Sequence, residues 1–126
     1  MSADAMHQAV QDFMRFFGLA YHLKDALKAA SPQGLHGSAV ESAISNDPTL
    51  ALLADVANLD KHFVLTKAPR SGDVPRLGEL RSTTTANGWE VEMPIHHRGR
   101  VIEGTAFAKD VVKAWDVHLR GWGLIT

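Results

Sequence analysis

Asp47-Pro48-Thr49-Leu50-Ala51-Leu52-Leu53-Ala54-Asp55-Val56-Ala57-Asn58-Leu59-Asp60-Lys61-His62-Phe63-Val64-Leu65-Thr66 is the stretch around which the chain is organised. It predicts a helix over 48–66. Asp47 can cap the first free N–H groups, and Pro48 suits the first helical position, where no donor is needed. At 100° per residue Leu52, Val56, Leu59 and Phe63 share a face, with Leu53, Ala57 and Val64 beside them. Asp55, Asn58, Lys61 and His62 then form a polar strip along the edge of that face. Asp60 falls inside the apolar arc, between Leu53 and Val56 on the wheel. A carboxylate there needs a partner, because an unpaired buried one costs several kcal/mol.

Upstream, Met6, Val10, Phe13, Phe17, Ala20, Leu23 and Leu27 recur at helical spacing, giving a long amphipathic helix over 3–30 that Pro32 and Gly34 end. A short helix over 37–45 follows, in which Ser38 and Glu41 have the spacing of a capping box. Downstream, 67–78 has loop composition: Pro69, Gly72, Pro75 and Gly78 among basic residues. The period then turns from helical to alternating. Asn87-Gly88 is a hairpin signal between strands at 79–86 and 89–97, and Arg98-Gly99 a second turn into 100–103. Centring the first turn on Asn87-Gly88 pairs Thr84 with Val91 and Ser82 with Met93; the second pairs Ile95 with Ile102. One face carries Leu80, Trp89, Val91, Met93, Ile95 and Ile102, so it must lie against helices. Phe107, Val111, Trp115, His118 and Trp122 restore helical spacing over 105–122, where His118 is expected to make one hydrogen bond in a core or interface. The class is α+β: a single domain, 1–126, built as a small helical bundle with a three-stranded antiparallel meander inserted before the last helix.

The bulk numbers exclude several chemistries. With 126 residues, 45% hydrophobic, the chain can bury one real core. No cysteine is present, so disulfides, thiolate metal sites and a cysteine nucleophile are out. The net charge of −1 gives no global attraction to nucleic acid or anionic lipid. The halves differ: 1–66 holds 4 Lys/Arg against 7 Asp/Glu (net −3), and 67–126 holds 9 against 7 (net +2). That asymmetry suits a self-complementary homodimer or a local basic patch. No secretion leader or membrane-length apolar run is evident, so a cytoplasmic protein is expected. No Gly-rich phosphate loop, nucleophile elbow or dinucleotide fingerprint occurs, and no cofactor or metal is expected.

Several residues could carry recognition or chemistry. His62 beside Asn58 and Lys61 could act as an acid or base while the cation holds a phosphate. The plainer reading is a polar helix seam whose groups satisfy one another. Tyr21, His22 and Asp25 sit together on the first helix, and Asp25 could orient His22. His96 and His97 beside Arg98 and Arg100 make a positive, titratable tip suited to phosphate or carboxylate, although alternation points the two imidazoles to opposite faces. Lys67, Arg70, Arg76 and Arg81 add charge along the loop and first strand, tempered by Asp73 and Glu79.

Ala57-Asn58-Leu59-Asp60-Lys61-His62 resembles the motif of the HEPN superfamily, an arginine and a polar residue followed after three positions by histidine. Asn58 and His62 match, and Ala57 stands where the family has arginine. The resemblance implies a homodimeric helical bundle with paired histidines on a cleft and, in active members, metal-independent RNA cleavage. The wider pattern, with Tyr21-His22-Leu23-Lys24-Asp25 and a Trp-bearing last helix, is also similar to small bacterial proteins without an assigned activity. Two functions are therefore expected in competition. One is a non-catalytic binding or regulatory module, homodimeric, engaging a protein or RNA partner through Asp55, Asp60, His22, Asp25, Tyr21, Arg98 and Arg100. The other is a HEPN-like ribonuclease using His62 with Asn58 and Lys61.

Overall fold

The order of capping and apolar residues translates directly into helices. In the computed structural model, which describes residues 2–59 and 63–126, Ser2 Oγ accepts from Ala5 N at 3.1 Å and opens α1 (Ala3–Ala30). This helix buries Phe17, Tyr21 and Leu27 and ends at Ser31 in left-handed geometry, ahead of a single turn at Pro32–Gly34. α2 (Gly37–Asn46) buries Val40 and Ile44. Ser38 lies inside α2, and the residue before the helix, His36, makes no side-chain cap, so the capping box is not formed.

α3 (Pro48–Ala57) begins as its sequence dictates: Asp47 Oδ1 accepts from Thr49 N at 3.0 Å and Leu50 N at 3.4 Å, with Pro48 in the first turn. Every residue from Leu50 to Val56 is buried, Asp55 included. A helix enclosed on all sides is a central element, and α1, α2 and α4 pack around it. Two expectations fail here. The helix does not run to residue 66; it ends at Ala57, Asn58 N bonds back to Ala54 O at 3.0 Å, and Leu59 leaves the helix to form an antiparallel bridge with Leu65. Nor is Asp55 on an exposed edge, since it is only 2% exposed. The wheel gave it a polar side that the surrounding helices cover.

The β region gives the expected α+β architecture, with a different assignment of strands. β1 (Arg76–Leu77), β4 (Pro94–His97) and β5 (Arg100–Glu103) form an antiparallel sheet in the order β1-β4-β5. β2 (Arg81–Thr85) and β3 (Gly88–Glu92) form a separate two-stranded hairpin. The expected long strand over 89–97 is divided at Met93, because Pro94 has no N–H to extend a ladder and its carbonyl accepts instead from Gly78 N at 2.8 Å. Ile95 pairs with Ile102 as expected. In the hairpin the register moves by two: Thr84 pairs with Trp89 and Ser82 with Val91. The turn residues are Ala86 and Asn87, while Gly88, at φ +118°, opens the next strand. Thr85 fixes this turn, its hydroxyl accepting from Asn87 N at 3.3 Å and donating to Gly88 O at 3.1 Å. A shift of two keeps every side chain on its expected face.

Leu77, Ile95 and Ile102 share the inward face of the sheet, and Arg76, His96 and Val101 the outward one. Met93 and Ile95 join Phe17, Leu50, Leu53, Val56, Phe107 and Val111 in one core. α4 (Gly104–Gly121) closes it, capped by Glu103, which accepts from Thr105 N and Ala106 N at 2.9 Å each. Gly104 fits closely at that junction: its N–H donates to Met93 O at 2.8 Å, and a Cβ there would stand 3.1 Å from that oxygen and from Phe13, so the neighbours would have to give by a few tenths of an ångström. Two polar contacts pin α4. Trp115 Nε1 donates to Ala20 O at 2.9 Å, and His118 Nε2 bonds to Asp47 Oδ2 at 2.9 Å, the single bond expected of that histidine. Among the described residues no helix is long and apolar enough to cross a membrane. Asp47→Ala removes both the α3 cap and the acceptor for His118, so its unfolding free energy from denaturant titration should fall by about 1–2 kcal/mol.

Candidate functional site

Asp55 is the residue from which the site is built. Its carboxylate, enclosed in α3, accepts from Arg70 N and Ser71 N at 2.9 Å each and from the Ser71 hydroxyl. Three donors offset the desolvation of the charge, and they fasten the Pro- and Gly-rich loop to the central helix. The Ser71 Oγ also lies 2.8 Å from His97 Nε2, on the sheet. The Ser71 hydroxyl also has Asp73 O in reach at 3.1 Å, so its one proton is contested by two oxygens and the His97 imidazole is the third group gathered on it. The order is carboxylate, hydroxyl, imidazole. A nucleophilic triad places the imidazole between the other two, so this chain serves as a tether and not as an activated serine. Two further bonds complete it: Arg98 N donates to Asp73 Oδ2 at 3.1 Å and Arg98 Nη1 to Ser71 O at 3.3 Å.

The Arg70 side chain points the other way. Its guanidinium meets Glu41 Oε2 at 2.7 Å, Ser45 Oγ at 3.3 Å and the Tyr21 hydroxyl at 3.4 Å. Glu41 Oε1 also accepts from Lys24 and Lys28 at 3.0 Å each, and Lys24 lies over the Tyr21 ring, 5.0 Å from its centre. Burial pushes the Glu41 carboxyl up, but the hydrogen bonds from Lys28, Arg70 and Lys24 outweigh it and hold the group at about 2, against an ordinary 4.5. One carboxylate thus gathers three cations from α1 and the loop.

These tethers set the β4–β5 turn between two clefts. One, of about 660 Å³, is lined by Arg76, His96, His97, Arg98 and Arg100, with Asp73 its single carboxylate among the described residues and Phe63, Val64 and Val74 its apolar wall. Those three apolar side chains are 46%, 53% and 48% exposed. The other, of about 580 Å³, runs along β5 toward α3 and α4 and is lined by Ser71, His97, Arg98, Arg100, Leu52, Ile102, Phe107 and Asp110 among others. Among the described residues neither the Arg76 nor the Arg100 side chain has a hydrogen-bond or ion-pair partner.

The residues singled out from sequence separate. Arg98 and Arg100 come together with His96 and His97 at the turn. Asp55 acts beneath them as an anchor and not as an exposed binding group. Tyr21 is buried and supports Arg70. His22 and Asp25 form an exposed pair at 3.0 Å on α1, where the bond from His22 lowers the Asp25 pKa. Asn58 closes α3. Asp60, Lys61 and His62 lie outside the described residues. Sequence reasoning missed Ser71 and Glu41. Ser71 had only a turn-forming Arg70-Ser71-Gly72-Asp73 context to mark it, and Glu41 was assigned to a local cap while its partners lie 13 to 29 positions away. No family model, curated protein or solved structure matches the chain.

The Asp55 carboxylate and the Glu41 cluster give separate expectations. Asp55→Asn replaces one acceptor oxygen by a donor facing Ser71 or Arg70, and unfolding should show a loss of about 2–4 kcal/mol; a loss below about 0.5 kcal/mol would mean that the loop is held elsewhere. Because the Glu41 pKa is lowered on folding, its contribution is complete above about pH 4.5 and disappears as pH falls toward 2. It is on the order of 2–3 kcal/mol. The difference in stability between wild type and Glu41→Gln should therefore shrink across that window.

Proposed function

We propose that this protein is a non-catalytic binding module whose recognition surface is the basic cleft at the β4–β5 turn, and that it takes an anionic segment of a partner protein. The observation that carries the reading is the pair of guanidiniums, Arg76 and Arg100, which have no side-chain partner among the described residues and, from opposite faces of the sheet, line one open cleft with Arg98 and two imidazoles. Guanidinium forks favour carboxylates and phosphates and hold them in pairs of parallel hydrogen bonds. The exposed Phe63, Val64 and Val74 supply apolar area beside that charge, the combination a peptide carrying acidic and apolar side chains would use.

The helix on which the ribonuclease resemblance depended ends before Asn58, and no observation favours that reading over binding. We propose the homodimer as the form in which the module acts, the net −3 of residues 1–66 complementing the net +2 of 67–126 in a second copy. Light scattering at rising salt should then show a dimer that weakens, and a monomer at every concentration would remove this part.

The main reading is tested with a fluorescein-labelled peptide of about twelve residues, two glutamates then two valines repeated, so that each face of the extended strand carries an acidic residue followed by an apolar one. Anisotropy should show saturable binding that weakens with salt and falls at least about tenfold in Arg76→Glu/Arg100→Glu, with stability changed by no more than about 0.5 kcal/mol per site. Equal binding of a lysine–valine peptide would overturn it.

A further inference from the structure

The same turn leaves a strand edge open. The sheet order β1-β4-β5 puts β5 at the boundary, and the ladder fixes which of its backbone groups face outward. Arg98 and Gly99 form a two-residue turn closed by the pair His97–Arg100, so that pair exchanges both hydrogen bonds. The next pair, His96–Val101, exchanges none. The bond from Gly78 N to Pro94 O agrees with this alternation, since it shows that the even-numbered residues of β4 point toward β1. Val101 therefore presents its N–H and C=O to the open side, where no described group bonds to them, and its side chain is 64% exposed.

The surroundings of that edge have a polarity. At the turn end stand Arg98 and Arg100, of which Arg100 is unpartnered. Toward α4 the cleft of about 580 Å³ beside β5 has the half-buried Ile102 as its apolar wall, over the buried Phe107 and Leu52, and among the described residues its one carboxylate is Asp110. Positive charge at one end, apolar wall and negative charge at the other select a ligand whose acidic residue lies at the turn and whose next inward-facing residue is apolar.

We infer that the module recognises its partner by strand addition: an extended acidic–apolar peptide pairs with β5 through the Val101 backbone and becomes a fourth strand of the sheet. This rests on the basic-cleft reading and makes it specific. Main-chain bonds to Val101 hold the peptide, Arg98 and Arg100 receive its carboxylate, and the half-buried Ile102 receives the apolar side chain two residues on. An edge of four residues with an arginine is also a form that discourages unwanted pairing, so the peptide's own backbone donors must be shown to matter.

The test compares the glutamate–valine peptide with two versions N-methylated either on its odd-numbered or on its even-numbered residues. Methylation leaves charge and side chains intact but removes alternate N–H donors. Strand addition requires at least one version to lose about tenfold or more in affinity, and requires exchange of the Val101 amide to slow when the unmethylated peptide binds. If both versions bind like the parent while Arg76→Glu/Arg100→Glu still abolishes binding, strand addition is overturned and the basic-cleft reading stands. If no acidic peptide binds, or single-stranded RNA binds in its place, both fall.

Discussion

A carboxylate in the middle of an apolar helix is the constraint on which the rest of this structure depends. Asp55 sits in a run of otherwise hydrocarbon side chains from Leu50 to Val56, enclosed by three other helices. Left alone there it would unfold the domain, so the chain must bring hydrogen-bond donors to it. The donors are two consecutive backbone N–H groups and a hydroxyl from the loop between α3 and β1. Satisfying the carboxylate therefore decides where the loop runs. The loop in turn decides where Ser71 lies, Ser71 receives His97, and Arg98 is fixed to Ser71 and Asp73. Core electrostatics thus places a surface turn.

That chain of dependence separates anchoring from display. Asp55, Ser71 and Asp73 use their polar groups up within the molecule, and so do Arg70 and Glu41. At the β4–β5 turn what remains unspent is Arg76, Arg100 and the outer backbone of β5; Arg15, Lys67, Arg81, Lys109 and Lys113 are further cations elsewhere without a side-chain partner among the described residues. Recognition surfaces are built this way when a rigid frame holds a few charged groups that have no internal partner.

Much of this was legible in the chain because local spacing governs it. The 3- and 4-residue apolar intervals of α1 and α4, the Asp47-Pro48 start of α3 and the Arg98-Gly99 turn depend on neighbours in sequence. Other features depended on partners far along the chain, and those were misread. Apolar periodicity continues past Ala57, so nothing local announced the end of α3. Asp55 was placed on a wheel as an edge residue because a wheel cannot show that neighbouring helices cover both of its sides. Glu41 had an adequate local explanation in Ser38, and that concealed Lys24, Lys28 and Arg70. The hairpin register moved because Thr85 and a left-handed Gly88 favoured the earlier turn, a choice that strand alternation alone cannot make.

The β2–β3 hairpin differs from everything else described in how little holds it. It belongs to its own two-stranded ladder, Ser82, Thr85 and Val91 are only half-buried, and the tip at Ala86-Asn87 is exposed. Asp55 takes no bond from it, and none of its described side chains belongs to the core cluster. The domain thus contains a position where length can vary freely: residues inserted at that tip would lengthen a projecting arm without altering the frame, and an added tag or second domain could be carried there with both clefts left as they are.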